Sequence, residues 1–378
     1  MRHHRWVLGV WVSLSQACGG SNSPSLLDDT TIVYPVPDWQ TAAPSELGFD
    51  ESALTQLSTT ADGSDSHCLV VTRKGRVVAE WYWDGWTQAT EQVVFSVTKT
   101  FASTLIGIAQ DEGKLNVEDA ASKYISEWQG GASSTVKVRD LLSNDSGRQW
   151  TFIKDYLEMA GTAADKTAYA VALGQDHPPG TFWEYNNSGI QTLERVLKNA
   201  TGAMDVAAYA HDKLFQPLGM ASHMGHDSAG NTLLFEDLSA SCRDLARFGY
   251  LFLRHGKWAG GQTVVSEAWT KAATTQSQPL NAAYGYLWWL NNNGHYVRPS
   301  APARVEGEGK MIPGLSDSAY FALGLGAQMI LIDPEHEIVM TRIGGESDPL
   351  KAFNAGGDPV GSAIVASLGS GLAASIKK

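Results

Sequence analysis

The spacing of apolar positions changes twice along this chain, and the changes outline its architecture. After a short helix signal from Ser52, residues 67–73 and 76–83 are β-rich runs around Lys74-Gly75, a two-residue hairpin signal. The period then lengthens: behind Ser96, Phe101, Leu105, Ile108 and Ala109 recur at helical spacing, and Gly113 stands where a C-cap belongs. Helical signals dominate to about residue 300. They cover 136–143, 188–200 before Thr201-Gly202, 205–215 before Pro217, and 239–255 before Gly256. The strand pattern returns at 319–323, 327–332 and 338–343, and an Ala-rich helix over 360–376 closes the chain. Strands at both ends around a helical middle predict an α+β fold. One antiparallel sheet would be built from both chain ends and flanked by helices, with a mostly helical subdomain beside it. The sheet subdomain then takes about 44–95 and 305–378, and the helical one about 96–304.

Composition narrows the class. The 378 residues are 43% hydrophobic and 18% charged, as in a globular protein with one large core or two modest ones. A formal net charge of −12 argues against nucleic acid or an anionic membrane surface as partner. The first 17 residues read as a signal peptide. Arg2-His3-His4-Arg5 is a basic start, and the apolar run 6–14 is too short to span a bilayer. Cys18, followed by Gly19-Gly20-Ser21, resembles a bacterial lipoprotein attachment site, although Ser15 stands where a leucine is usual; a cleaved secretory signal is the alternative. Residues 18–43, rich in Ser, Pro, Asp and Gly, read as a tether ahead of the domain at 44–378. The protein is therefore expected to be exported, touching a membrane only through a lipid on Cys18. Export would permit a disulfide between Cys68 and Cys242, but spacing alone does not decide whether they pair.

The candidate chemistry starts at Ser96-Val97-Thr98-Lys99. On a helix an i,i+3 pair shares one face, so the Lys99 amine can reach the Ser96 hydroxyl. A serine at a helix N-terminus also sits where free N–H groups favour developing negative charge. Nucleophile, base and anion-stabilising end are the parts of acyl transfer. Ser134-x-x-Lys137 and Ser375-x-x-Lys378 repeat the spacing, so context must choose among the three. Further on, Tyr185-Asn186-Asn187 lies between a Pro179-Gly180 turn and a helix. In an extended stretch Tyr185 and Asn187 point the same way, a phenol to pass protons and an amide to hold both the lysine and a substrate carbonyl.

Ser96-x-x-Lys99, Tyr185-x-Asn187 and a later Gly-rich strand, in that order, resemble the serine hydrolases of the class C β-lactamase and penicillin-binding fold. The flanks 141–147, 217–220, 243–249 and 284–289 are most similar to the branch of 6-aminohexanoate-dimer hydrolases and related carboxylesterases. The likeness runs from about 45 to 370 and leaves Ser134 and Ser375 as decoys. It implies a β-lactamase/transpeptidase-like fold, a Ser96 acyl-enzyme, small ester or amide substrates and no cofactor. In that branch a tyrosine from the region between the two motifs assists amide substrates, for which Tyr156 is the candidate.

One departure bears on substrate. β-Lactam-processing relatives carry Lys-Thr-Gly in the third motif, where Lys and Thr hold a carboxylate. The matching strand here is Gly324-Leu325-Gly326-Ala327-Gln328, which offers backbone only, with Ala327 N–H expected as the second oxyanion donor beside Ser96 N–H. Lys310 and Arg342 are the cations placed to supply the missing charge. A β-lactamase or D,D-carboxypeptidase is thus the second reading, and a non-catalytic envelope lipoprotein the third. His223-Met224-Gly225-His226-Asp227 lies in a loop without a further ligand cluster, so no metal is expected, and the absence of a G-x-S-x-G pentapeptide argues against an α/β-hydrolase.

Overall fold

The structure, a computed structural model, describes residues 32–299, 304–345 and 361–377. The leader and Cys18 lie outside the described residues. In chain order the first strands are β1 (Gln40–Thr41), β2 (Ser66–Arg73), β3 (Arg76–Tyr82), β4 (Gln92–Val93), β5 (His223–Met224) and β6 (Leu238–Ala240). They are followed by β7 (Trp289–Leu290), β8 (Gly294–Arg298), β9 (Val305–Gly309), β10 (Tyr320–Gly324), β11 (Gln328–Asp333) and β12 (Ile338–Gly344). Seven of them form the main sheet in the order β1-β3-β2-β12-β11-β10-β7. β2 and β12 pair antiparallel with Arg73 opposite Ile338, so the sheet joins both chain ends as the pattern predicts. Lys74 and Gly75 both take positive φ (52° and 76°), the conformation that a two-residue hairpin turn requires.

β2, β11 and β12 are buried along nearly their whole length because both faces of the sheet are covered. Helix α1 (Glu51–Asp62) and the terminal helix Ser362–Ser375 pack together on one face. The helix Cys242–Leu253 covers the other, lying so close that a Cβ on Gly249 would come within 2.6 Å of Val339. Cys68 on β2 and Cys242 at the start of that helix form a disulfide. Behind Ser96, α2 (Thr98–Asp111) runs through the core, with Phe101 stacked on Phe248 at 3.7 Å.

Two expectations need correcting. Residues 32–43 are not tether: Val33, Trp39 and Ala42 are buried, and β1 pairs with β3 in parallel, the one departure from an antiparallel sheet. Tyr34 and Trp39 account for it, both packing edge-on against Tyr250. Second, the helix expected from Ser239 starts at Cys242, because Leu238–Ala240 pairs with β4 and β5, and Ser241 Oγ caps the helix through Asp244 N–H. The middle segment is mostly helical, as expected, with short strands in it. β7 closes the edge of the main sheet against β10, and β8–β9 is a separate hairpin.

Candidate active site

Phe95–Val97 forms one 3-10 turn that leads directly into α2. Phe95 holds φ at +48°, a conformation costly for a bulky residue, and is packed in place by Leu325 and Val93. Ser96 follows, half-buried at the helix entrance. One turn on, Lys99 Nζ donates to Ser96 Oγ at 2.6 Å and to the Phe235 carbonyl at 2.6 Å. The segment carrying Phe235 is itself tied to the turn, through Val94 N–H to Leu238 O and Leu238 N–H to Thr98 Oγ1.

Lys99 is 1% exposed. Burial pushes its ammonium down to about 7, against the opposing pull of Glu236 and Asp155. The Tyr185 phenol hydrogen-bonds Ser96, and its ring centre lies 4.9 Å from Lys99 Nζ. Burial drives that phenol well above the usual tyrosine range, so Tyr185 keeps its proton at neutral pH. Of the two neighbours of Ser96, Lys99 is therefore the one that can become a neutral base. Stacking on Trp289 at 5.9 Å fixes the Tyr185 ring.

Asn187 does not do what its spacing predicts. Asn186 is the N-cap of the helix Asn187–Thr201, its side chain accepting from Gly189 N–H, so the extended alternation stops one residue short of Asn187. The Asn187 amide turns to Asp155 Oδ2 at 2.9 Å rather than to Lys99. Asp155 also accepts from Asn187 N–H, Ser188 N–H and Ser188 Oγ, so one buried carboxylate caps the helix behind Tyr185. It sits in a ten-residue π-helix, Ile153–Thr162. The next residue, Tyr156, hydrogen-bonds Asn187 and lies near Tyr185.

The third motif is a turn rather than a strand. β10 ends at Gly324, Leu325–Ala327 forms a tight turn with Gly326 at φ +73°, and Gln328 opens β11. Gly324 lies flat against the Ser96 turn, where a Cβ would come within 2.3 Å of Val94 O; no larger residue fits. Leu325 packs on Phe95. Ala327 faces Gly361, and its carbonyl accepts from Arg342 Nη1 at 2.9 Å. Neither spare cation reaches the site: buried Arg342 donates to the carbonyls of Gly326, Ala327, Ser64 and Asp65 and to Ser66 Oγ, and Lys310 pairs with Asp317.

The decoys are elsewhere. Lys137 pairs with Glu118 on the surface, and Ser375 Oγ donates to Leu372 O. His223 and His226 separate, toward Glu91 and Asp205. Two site groups carried no usable sequence signal: the Phe235 carbonyl and Asp155. Each lies far along the chain from the group it serves, and a backbone carbonyl has no residue type to recognise.

The chain is similar to known proteins in sequence and fold. Residues 60–344 match the family described as Beta-lactamase. The chain is 23% identical over 328 residues to a 6-aminohexanoate-dimer hydrolase of Paenarthrobacter ureafaciens, covering 78% of this chain and 76% of that one. A solved family VIII carboxylesterase has a similar fold, with TM-score 0.63 at 16% identity over 86% of this chain and 98% of the other. A penicillin-binding protein homologue from Caulobacter crescentus gives TM-score 0.64 at 16% identity, over 86% and 97%.

Proposed function

This chain belongs to the beta-lactamase family of serine hydrolases, and from that premise we propose that it is an exported hydrolase of small esters or amides. The convergence of Lys99 and Tyr185 on the Ser96 hydroxyl carries the reading. Ser96 Oγ attacks the substrate carbonyl while its proton passes to neutral Lys99 across 2.6 Å. Tyr185, still protonated, relays a proton to the leaving alkoxide or amine. The oxyanion is met by Ser96 N–H at the helix entrance and by Ala327 N–H from the turn that follows β10. Water then attacks the acyl carbonyl, with Lys99 again taking the proton, and Ser96 is released. For amides, Tyr156 is the added donor, placed by its bond to Asn187.

The third motif argues for substrates without a carboxylate. Leu325 and Gly326 bring neither cation nor hydroxyl, and Arg342 and Lys310 are engaged elsewhere. A β-lactam carboxylate would forgo a charge-assisted bond worth ~1.5–3 kcal/mol, while a simple ester loses nothing. The leader sequence supports export, and so does the Cys68–Cys242 disulfide, a bond that persists in oxidising compartments.

The test compares p-nitrophenyl butyrate with nitrocefin on wild type and Ser96→Ala. Turnover and fluorophosphonate labelling should both vanish in Ser96→Ala. The ester should exceed nitrocefin in kcat/KM by roughly 5- to 150-fold, the equivalent of ~1–3 kcal/mol. Equal or faster nitrocefin turnover would overturn the ester reading, and labelling that survives Ser96→Ala would place the nucleophile elsewhere.

A further inference from the structure

We infer that Asn144 is a positioning residue for Tyr185, holding the chain on both sides of the phenol and a ring packed against it. Asn144 is buried and caps the short helix Val138–Ser143, its N–H donating to Asp140 O. Its φ is +59°, the left-handed conformation common at helix ends, which asparagine tolerates better than most residues. Its other polar groups all turn to the Tyr185 region. The Asn144 carbonyl accepts from Glu184 N–H at 2.9 Å, and Oδ1 accepts from Asn186 N–H at 3.4 Å. Along an extended chain the N–H groups of residues two apart leave the same edge, so one residue can receive both. Nδ2 donates to Tyr284 Oη at 3.0 Å.

That third bond reaches the Tyr185 ring itself. Tyr284 is fully buried and stands edge-on to Tyr185, with ring centres 6.5 Å apart, and edge-on to Trp289 at 4.7 Å. Trp289 in turn stacks on Tyr185. Leu287 N–H donates to Leu142 O at 3.0 Å, so the segment 284–289 is fastened to the same helix end. Lys99 is aimed by two hydrogen bonds of its own amine. The Tyr185 oxygen sits instead at the far end of a rigid ring, so a small backbone shift at 184 or 186 is carried to the phenol undiminished. Asp155 holds only the helix that follows Tyr185, through Asn187 and Ser188. Asn144 adds the hold on the residue before it and on its aromatic neighbour. Asn144→Gly isolates the side chain. Glycine suits the left-handed cap and keeps the backbone bonds to Asp140 and Glu184, so only the bonds to Asn186 and Tyr284 are removed.

The proposal rests on the hydrolase reading for its effect on turnover, and the experiment separates the two. kcat and KM on p-nitrophenyl butyrate are measured for wild type, Asn144→Gly and Asn144→Ala, and for both changes in a Tyr185→Phe background. Hydrogen–deuterium exchange at Asn186 N–H is followed in the same proteins by mass spectrometry with electron-transfer fragmentation. In the single variants kcat should fall about 10- to 100-fold, the cost of a misplaced reacting group, with KM within about twofold of wild type. In the Tyr185→Phe background the same changes should cost less than about threefold, because the phenol they place is gone. Exchange at Asn186 should quicken about tenfold in both variants. Two variants keep the test alive if one does not fold. An unchanged kcat overturns the proposal, and so does an equal loss with Tyr185→Phe, which would mark a general weakening of the fold. Absence of Ser96-dependent turnover in wild type would instead sink the hydrolase reading. Exchange at Asn186, which needs no turnover, would then still decide whether Asn144 holds this segment, and an unchanged rate would overturn it.

Discussion

Lys99 Nζ lies 2.6 Å from Ser96 Oγ, within one helical turn and shielded from solvent. Burial brings the amine down to about 7, and only the neutral amine can accept the serine proton. The neutral fraction grows as pH rises, so kcat/KM on an ester should climb about tenfold per unit below that value and level off above it. A profile flat through the acid range would remove Lys99 as the base.

Lys99→Ala and Tyr185→Phe should each lower kcat by ~10²–10⁴, the range for a positioned acid–base group. Because both act on the one Ser96 proton, the double variant should fall well short of the summed losses in free energy. Strict additivity in the double-mutant cycle would mean that they work independently.

Asp155→Ala should destabilise the fold by about 1–3 kcal/mol, since it strips acceptors from the buried Asn187 and Ser188 amides. Asp155→Asn, which keeps one oxygen, should lose less. Urea unfolding measures both, and a midpoint unmoved in Asp155→Ala would show that the helix start does not depend on this carboxylate.

The disulfide closes a sequence separation of 174 residues. Replacing both Cys68 and Cys242 by serine should lower stability by about 2–5 kcal/mol through the freed unfolded chain. Thiol alkylation of the native protein should find neither cysteine free; alkylation of both without reductant would contradict the bond.

Export is checked at the N-terminus. The protein should fractionate with membranes, and Cys18→Ser should release it or leave it unprocessed. A mature chain that begins anywhere but residue 18 would exclude the lipid anchor.

The local parts of the site were readable from the chain because they depend on short windows. The i,i+3 spacing of Ser96 and Lys99 follows from helical geometry, and Lys74-Gly75 predicted its turn because few dipeptides tolerate two positive φ angles in succession. The sheet joining both ends was likewise visible in the return of the strand period after residue 300. The family resemblance added Tyr185, whose ring centre lies 4.9 Å from Lys99 Nζ.

What spacing misjudged lies where one segment meets another. Asn187 shared a side with Tyr185 only while the chain was assumed extended, and the N-cap at Asn186 ended that alternation. The Gly324–Ala327 segment read as strand because Gly and Leu fit either state; what makes Gly324 necessary is the Val94 carbonyl, brought there from 230 positions earlier in the chain. The sequence determined by itself the Ser96–Lys99 pairing and the order of strands and helices, since backbone periodicity is set by a few neighbouring residues. Tertiary structure alone decided which amine loses its water, which cations are already paired and that the Phe235 carbonyl and Asp155 adjoin the site. Desolvation and charge pairing depend on everything that packs around a group, and for Lys99 the second hydrogen-bond partner comes from 136 residues away.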